Sequence, residues 1–187
     1  MANKTTIVRA PNGDPVPMVL VDNGDGTYSL GTSALSSTPG TAAASLGKAE
    51  DNPHTSRAAF VAKVAAASPS KIWLAIGTND YGLNKWSAAS FGTAYAALLD
   101  DLHTALPSAT IYCQTPIVRS TETANGSGST LGNYRTQIST AQSTRTGYAV
   151  LVNGATILTT GDLDDGVHPT TAGHATYYAA VKTALGI

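Results

Sequence analysis

The amino-acid sequence predicts an α/β domain: three layers, α/β/α, around a parallel sheet, preceded by an N-terminal β-hairpin segment. Three observations predict it. Residues 71–76 and 109–113 are short, largely apolar runs, the pattern of strands covered on both faces. Stretches with helical periodicity separate and follow these runs, and such alternation calls for right-handed crossovers and parallel pairing. Residues 1–45 differ, being rich in turn residues and almost free of helical periodicity.

Taken in order, residues 17–21 (Pro-Met-Val-Leu-Val) form a short strand, 22–26 (Asp-Asn-Gly-Asp-Gly) a reversal, and 27–30 a returning strand. Residues 33–44, mostly Ser, Thr, Ala, Pro and Gly, read as a flexible linker, which divides the chain into a 1–45 segment and a 46–187 domain. A helix over 57–67, capped by Thr55 or Ser56, stops before Pro69. The strand at 71–76 ends in Gly77, and Ser87 caps a long helix with Tyr95, Leu98, Leu99, Leu102 and Leu106 on one side. A strand at 109–113, a polar loop over 119–129, a helix near 131–144, a strand at 148–152 and a closing helix at 171–185 complete the chain. Three strands are few for this architecture, so the first part of the chain either adds strands or leaves the core truncated.

At 187 residues the chain has single-domain length, enough to close one sizeable core. Hydrophobic residues make up 42% and charged residues 12%, so the surface is weakly charged. With 11 Lys and Arg against 12 Asp and Glu and no basic run, nucleic acid is not an expected partner. No basic amphipathic helix and no apolar run of about 18 residues argue for a membrane. The single Cys113 excludes an internal disulfide or a cysteine-based zinc site, and its apolar neighbours make it a buried structural thiol. No metal or cofactor is expected. The N-terminus lacks the apolar stretch of a signal peptide, so a soluble chain is expected, leaving the cell if at all by a route such as lysis.

Ligands of open parallel sheets bind at the carboxyl ends of the strands. Two polar clusters fall there. Gly77-Thr78-Asn79-Asp80 follows the strand at 71–76, and Asp165-Gly-Val-His168-Pro169 precedes the last helix. Three residues apart in a tight turn, the Asp165 carboxylate can fix the His168 tautomer and leave its other ring nitrogen as a base. Asn79 offers an amide donor for a developing oxyanion. Each cluster also has a structural reading, as a turn, a helix cap or a solvated loop. Tyr81 and Trp86, just after Asn79, are candidates for stacking on a sugar, or for covering the edge of the core.

In this order and on this architecture, Gly77-Thr-Asn-Asp80 resembles the third sequence block of SGNH (GDSL-like) hydrolases, and Asp165-Gly-Val-His168-Pro169 the fifth. The resemblance covers about residues 57–187. It implies an SGNH/flavodoxin-like fold and ester hydrolysis, often of acetyl groups on carbohydrates or lipids. By it His168 is the base, Asp165 its orienter and Asn79 an oxyanion donor. Asp162 and Asp164 do not fit the block's spacing to His168, His174 reads as packing or surface, and His54 and His103 as solvated.

The first block of that family is Gly-Asp-Ser, and this sequence has none. Gly13-Asp14-Pro15 and Gly24-Asp25-Gly26 come nearest, with Pro15 and Gly26 where the serine would stand. The second block's glycine is best matched by Gly47. Ser29 lies in the right part of the chain for a nucleophile, although its place in a strand suits a structural role. Residues 21–30 are similar to short segments of tailed-phage virion proteins. Two functions follow as expectations: an SGNH-type esterase domain on a phage virion, acting on acetylated surface glycans, or a non-catalytic decoration protein that binds glycan or acts as a spacer among other virion proteins. Without a nucleophile the same residues could not form an acyl-enzyme.

Overall fold

The computed structural model describes residues 20–22, 28–30, 57–82 and 86–186. The linker 33–44, Gly47, His54, the caps Thr55 and Ser56, and both Gly-Asp-x tripeptides lie outside the described residues, so the expectations placed on them do too. Near the N-terminus, β1 (Leu20–Asp22) pairs antiparallel with β2 (Tyr28–Leu30), Leu20 opposite Leu30 and Asp22 opposite Tyr28.

The helix α1 (Arg57–Ala67) leads into β3 (Lys71–Leu74), the short helix α2 (Thr78–Gly82), the long helix α3 (Ala88–Ala105) and β4 (Thr110–Gln114). Next come α4 (Leu131–Ser143), β5 (Ala149–Val152), two single-turn 3-10 segments (Gly154–Thr156 and Thr160–Asp162) and α5 (Thr171–Leu185). The three strands form one parallel sheet in the order β3-β4-β5, with Ile72 beside Ile111 and Ile111 beside Ala149. Strand β3 is shorter than the apolar run 71–76: pairing ends at Leu74, and Ala75 and Ile76 carry the chain to Gly77.

Alternation along the strands makes the three layers. Ile72, Leu74, Ile111, Cys113 and Ala149 point into a core shared with α1, α3 and α4, where Tyr95, Leu98, Leu99, Leu102, Tyr134 and Ile138 are fully covered. Trp73, Tyr112 and Val152 point the other way, against Tyr177, Val181 and Leu185 of α5 and against Leu158 and Leu163. Burial of each large apolar side chain stabilises the fold by about 1.5–3 kcal/mol. Val150 and Leu151 remain exposed at 43% and 39%, because β5 is the outer strand on its side of this sheet.

Caps fix where the helices begin. Ser87 Oγ accepts the Ser90 N–H at 3.2 Å at the start of α3. Thr130 and Asn133 exchange side-chain and backbone bonds at the start of α4. At the end of β3 the chain turns through Gly77 with φ of +114°, and a Cβ there would stand 3.2 Å from both Phe91 and Pro116, so glycine is needed on two counts. Gln114, a buried polar group, is paired: its Oε1 accepts from Trp73 Nε1 at 3.0 Å and from the Tyr177 hydroxyl, which ties α5 to the sheet. Cys113 is buried and free, and burial pushes its thiol up to about 11, which leaves it unreactive. No helix among the described residues is long and apolar enough to cross a membrane.

Candidate active site

The segments that leave the carboxyl ends of β3 and β4 and the loop before α5 meet at one end of the sheet. The last of these holds the most ordered polar cluster. An antiparallel bridge between Leu163 and Pro169 closes a small loop, and the Asp164 N–H donates to the His168 carbonyl at 2.8 Å inside it. Gly166 supplies the left-handed residue of the turn, with φ of +80°. Asp165 then accepts with both oxygens: Oδ1 from the backbone N–H groups of Val167 and His168 at 2.9 and 2.8 Å, Oδ2 from His168 Nδ1 at 2.7 Å.

These bonds set the protonation states. Three donors converge on the carboxylate, first the His168 backbone N–H, then its ring, then the Val167 N–H, and they hold Asp165 well below the usual aspartate range. An ionised carboxylate only accepts, so Nδ1 is the ring nitrogen that donates to it, and Nε2 is the nitrogen left without that partner. The two side chains are 40% and 55% exposed for His168 and Asp165, so the free nitrogen is open to an incoming group. Asp162 and Asp164 do not share in this pairing: Asp162 Oδ2 is taken by the Thr159 N–H and hydroxyl, each at 2.8 Å, and Asp164 contributes its backbone N–H. His174, one turn into α5, is a neighbour of His168. Burial first, and the nearby His168 second, lower its affinity for a proton.

Asn79 lies in α2, partly exposed, between the partly covered Thr78 and the fully buried Asp80. The loop after β4 joins this segment to the histidine loop. Arg119 Nη1 donates to the Thr78 carbonyl at 3.4 Å, and the next residue, Ser120, donates its N–H to the Gly166 carbonyl at 2.9 Å. A Cβ at position 166 would stand 2.7 Å from Ser120 Oγ, so the contact requires glycine there as well. Glu122 and Arg135 brace the same loop: Arg135 forms a two-pronged ion pair with Glu122 at 2.6 and 2.7 Å and donates to the Pro116 and Ile117 carbonyls.

The remaining candidates are placed differently. Tyr81 is a core side chain, 6% exposed, packed edge-on to Tyr134 with its hydroxyl on the Thr123 carbonyl at 2.8 Å, and the Arg119 guanidinium lies over its ring. The structure therefore puts little of that ring within reach of a sugar. Trp86 is partly buried against the same core, and its carbonyl accepts from the Tyr134 hydroxyl. Ser29 stands opposite Val21 in the hairpin. Among the described residues no hydroxyl group hydrogen-bonds the His168 ring, whose side-chain partner is Asp165. No group of three or more His, Cys, Asp or Glu among them could hold a metal ion. Arg119 and Ser120 are the residues the sequence did not single out. The available signal was one arginine opening an otherwise mostly uncharged loop.

No curated protein sequence matches the chain. Solved structures do. A carbohydrate esterase of family 3 from Talaromyces cellulolyticus is similar at 24% identity and a TM-score of 0.57, over 69% of this chain and 63% of that one. A peptidoglycan O-acetylesterase is similar at 17% identity and a TM-score of 0.54, over 68% of this chain and 40% of that one. A salicylyl-acyltransferase of a tetracycline biosynthetic pathway is similar at 15% identity and a TM-score of 0.57, over 68% and 41%. The chain thus spans less than two thirds of the length of each, and at these identities the likeness is one of fold. The model of the GDSL-like lipase/acylhydrolase family matches residues 13–176, a stretch that begins at Gly13-Asp14-Pro15 and takes in both blocks around Asn79 and His168. The chain belongs to the GDSL-like lipase/acylhydrolase family, the SGNH hydrolases.

Proposed function

We propose that this domain binds and hydrolyses an acetyl ester on a carbohydrate, with His168 as general base, Asp165 as its orienter and Asn79 as an oxyanion donor. The observation that carries the reading is the Asp165–His168 bond at 2.7 Å, which leaves an exposed imidazole with a basic Nε2. Nε2 takes the proton of an attacking hydroxyl as its oxygen bonds to the acetyl carbon. The carbonyl electron pair moves onto the oxygen that faces the Asn79 amide. The tetrahedral species collapses, the sugar oxygen leaves, and it receives the proton back from His168. If the attacking hydroxyl is water, acetate forms directly. If it is a serine of the chain, a second round with water releases acetate from the acyl-enzyme.

A second reading, acetylated-glycan binding without turnover, has its own observation: no hydroxyl among the described residues is bonded to the His168 ring, and both Gly-Asp-x tripeptides lack serine. A fluorophosphonate probe, with the adduct mapped by mass spectrometry, separates these readings when run beside acetate release. A labelled serine with turnover abolished in His168→Ala supports the acyl-enzyme route. Turnover without a label supports attack by water. Glycan binding with neither leaves only the binding module. We further propose placement on a phage particle, among other virion proteins, on the resemblance read in residues 21–30 alone, and detection of the chain in purified particles tests it.

A further inference from the structure

Arg119 opens the polar loop after β4, and the carboxylate that feels its charge among the described residues, Glu122, is shared with Arg135. The guanidinium carbon lies 5.3 Å from the Tyr81 ring centroid, and the group's one hydrogen bond among the described residues, to the Thr78 carbonyl, is long at 3.4 Å. Glu122, the carboxylate closest in sequence, accepts the Arg119 backbone N–H at 3.0 Å, but its two oxygens are held by Arg135 at 2.6 and 2.7 Å. Among the described residues the Arg119 guanidinium forms no ion pair. A guanidinium offers five N–H donors in a planar fork, so most of this one is unused.

Its position gives those spare donors a use. Thr78, whose carbonyl it touches, precedes Asn79, and Ser120, the next residue, is bonded to Gly166 between Asp165 and His168. The cation therefore stands at the seam of the two clusters that define the site. The Tyr81 ring lies on one side of the group, and the planar fork of a guanidinium favours a planar, two-oxygen partner over a point charge.

We propose that Arg119 determines specificity at this site by binding the carboxylate of an acidic sugar, so that the ester taken is an O-acetyl group on a uronic-acid residue. This rests on the ester-binding reading above and names its substrate class. The test is calorimetric titration of the full chain with two matched probes: an O-acetylated oligogalacturonate and its carboxyl-reduced counterpart, in which each carboxylate has become a hydroxymethyl group. The acidic probe binds roughly ten- to a hundredfold more tightly, and added salt shrinks that advantage. Arg119→Gln abolishes the difference between the acidic and the neutral probe, while Arg119→Lys, a charge without the fork, recovers part of it. Equal affinity of the two probes for the unmodified chain overturns the assignment without recourse to any variant. So does an acidic preference that survives in Arg119→Gln. Equal binding with acetate release sinks this assignment alone, whereas binding of neither probe sinks it together with the ester-site reading.

Discussion

At opposite ends of the sheet the molecule carries two neighbourhoods built from an imidazole and a carboxylate, and they are wired differently. At the carboxyl ends of the strands, Asp165 holds the His168 ring directly and leaves its second nitrogen open. At the other end, just before β5, Asp100 is taken by Arg145 at 2.6 and 2.7 Å and by the Tyr148 hydroxyl at 2.8 Å. His103 there lies flat on Tyr148, with ring centroids 3.8 Å apart and planes 3° from parallel. Its Nδ1 is buried and has no hydrogen-bond partner among the described residues. Burial and the neighbouring Asp100 carboxylate push the Tyr148 hydroxyl up to about 12, so the cluster stays a fixed tie between α3 and the start of β5. The same residue types thus leave a ring nitrogen free where the acid grips the ring, and make a clamp where an arginine takes the acid away.

The comparison breaks most readily at the two histidines. His168→Ala should lower acetyl-ester turnover by about a thousandfold or more with little change in thermal unfolding, because the ring is partly exposed and unpacked. If turnover persists, the site is elsewhere. Asp165→Asn comes next. Its remaining oxygen can still accept the Val167 and His168 N–H groups, but its amide favours the other tautomer, and turnover should drop by about a hundredfold at unchanged KM. His103→Ala should leave turnover untouched and lower stability by about 1 kcal/mol from the lost stacking, read by denaturant unfolding. An effect on turnover would show that the lower cluster communicates with the site.

The smallest expected difference is in acid. Asp100, held down chiefly by Arg145, and Asp165, held down chiefly by the His168 N–H, both lie below the ordinary aspartate value of 3.8. A carboxylate with a lowered folded value adds stability that is present above the unfolded value and is lost as pH falls through the folded one. Below pH 3.8, therefore, Asp100→Asn and Asp165→Asn should each flatten the fall of Tm with pH. Both groups are more than half exposed, so solvent screening keeps each effect to about 2 °C or less.

What could be read from the sequence is what depends on near neighbours. Ser87 as a cap, Gly77 as a turn, the alternation of strands and helices, and the spacing of Asp165 to His168 are all settled within a few residues, and the sheet is parallel as expected. The edge position of β5 was not readable, because an apolar run of five residues is the same whether one or two strands flank it. Nor was Arg119, whose contact with Thr78 spans 41 residues of chain. Tyr81 shows the limit in another way: its place after Asn79 fitted a ligand surface and a core cover alike, and packing against Tyr134, a long-range contact, makes it core.

The loop that holds His168 is closed on itself, from the Leu163–Pro169 bridge to the bonds of Asp165, and Ser120 adds a hydrogen bond from a distant part of the chain. A geometry kept by so short a stretch is indifferent to losses elsewhere in the protein. A lineage that discarded its nucleophile would keep the pair intact, folded and recognisable, as an organ outlives its use. Where the loop survives it therefore records descent, and activity has to be sought in what stands opposite it.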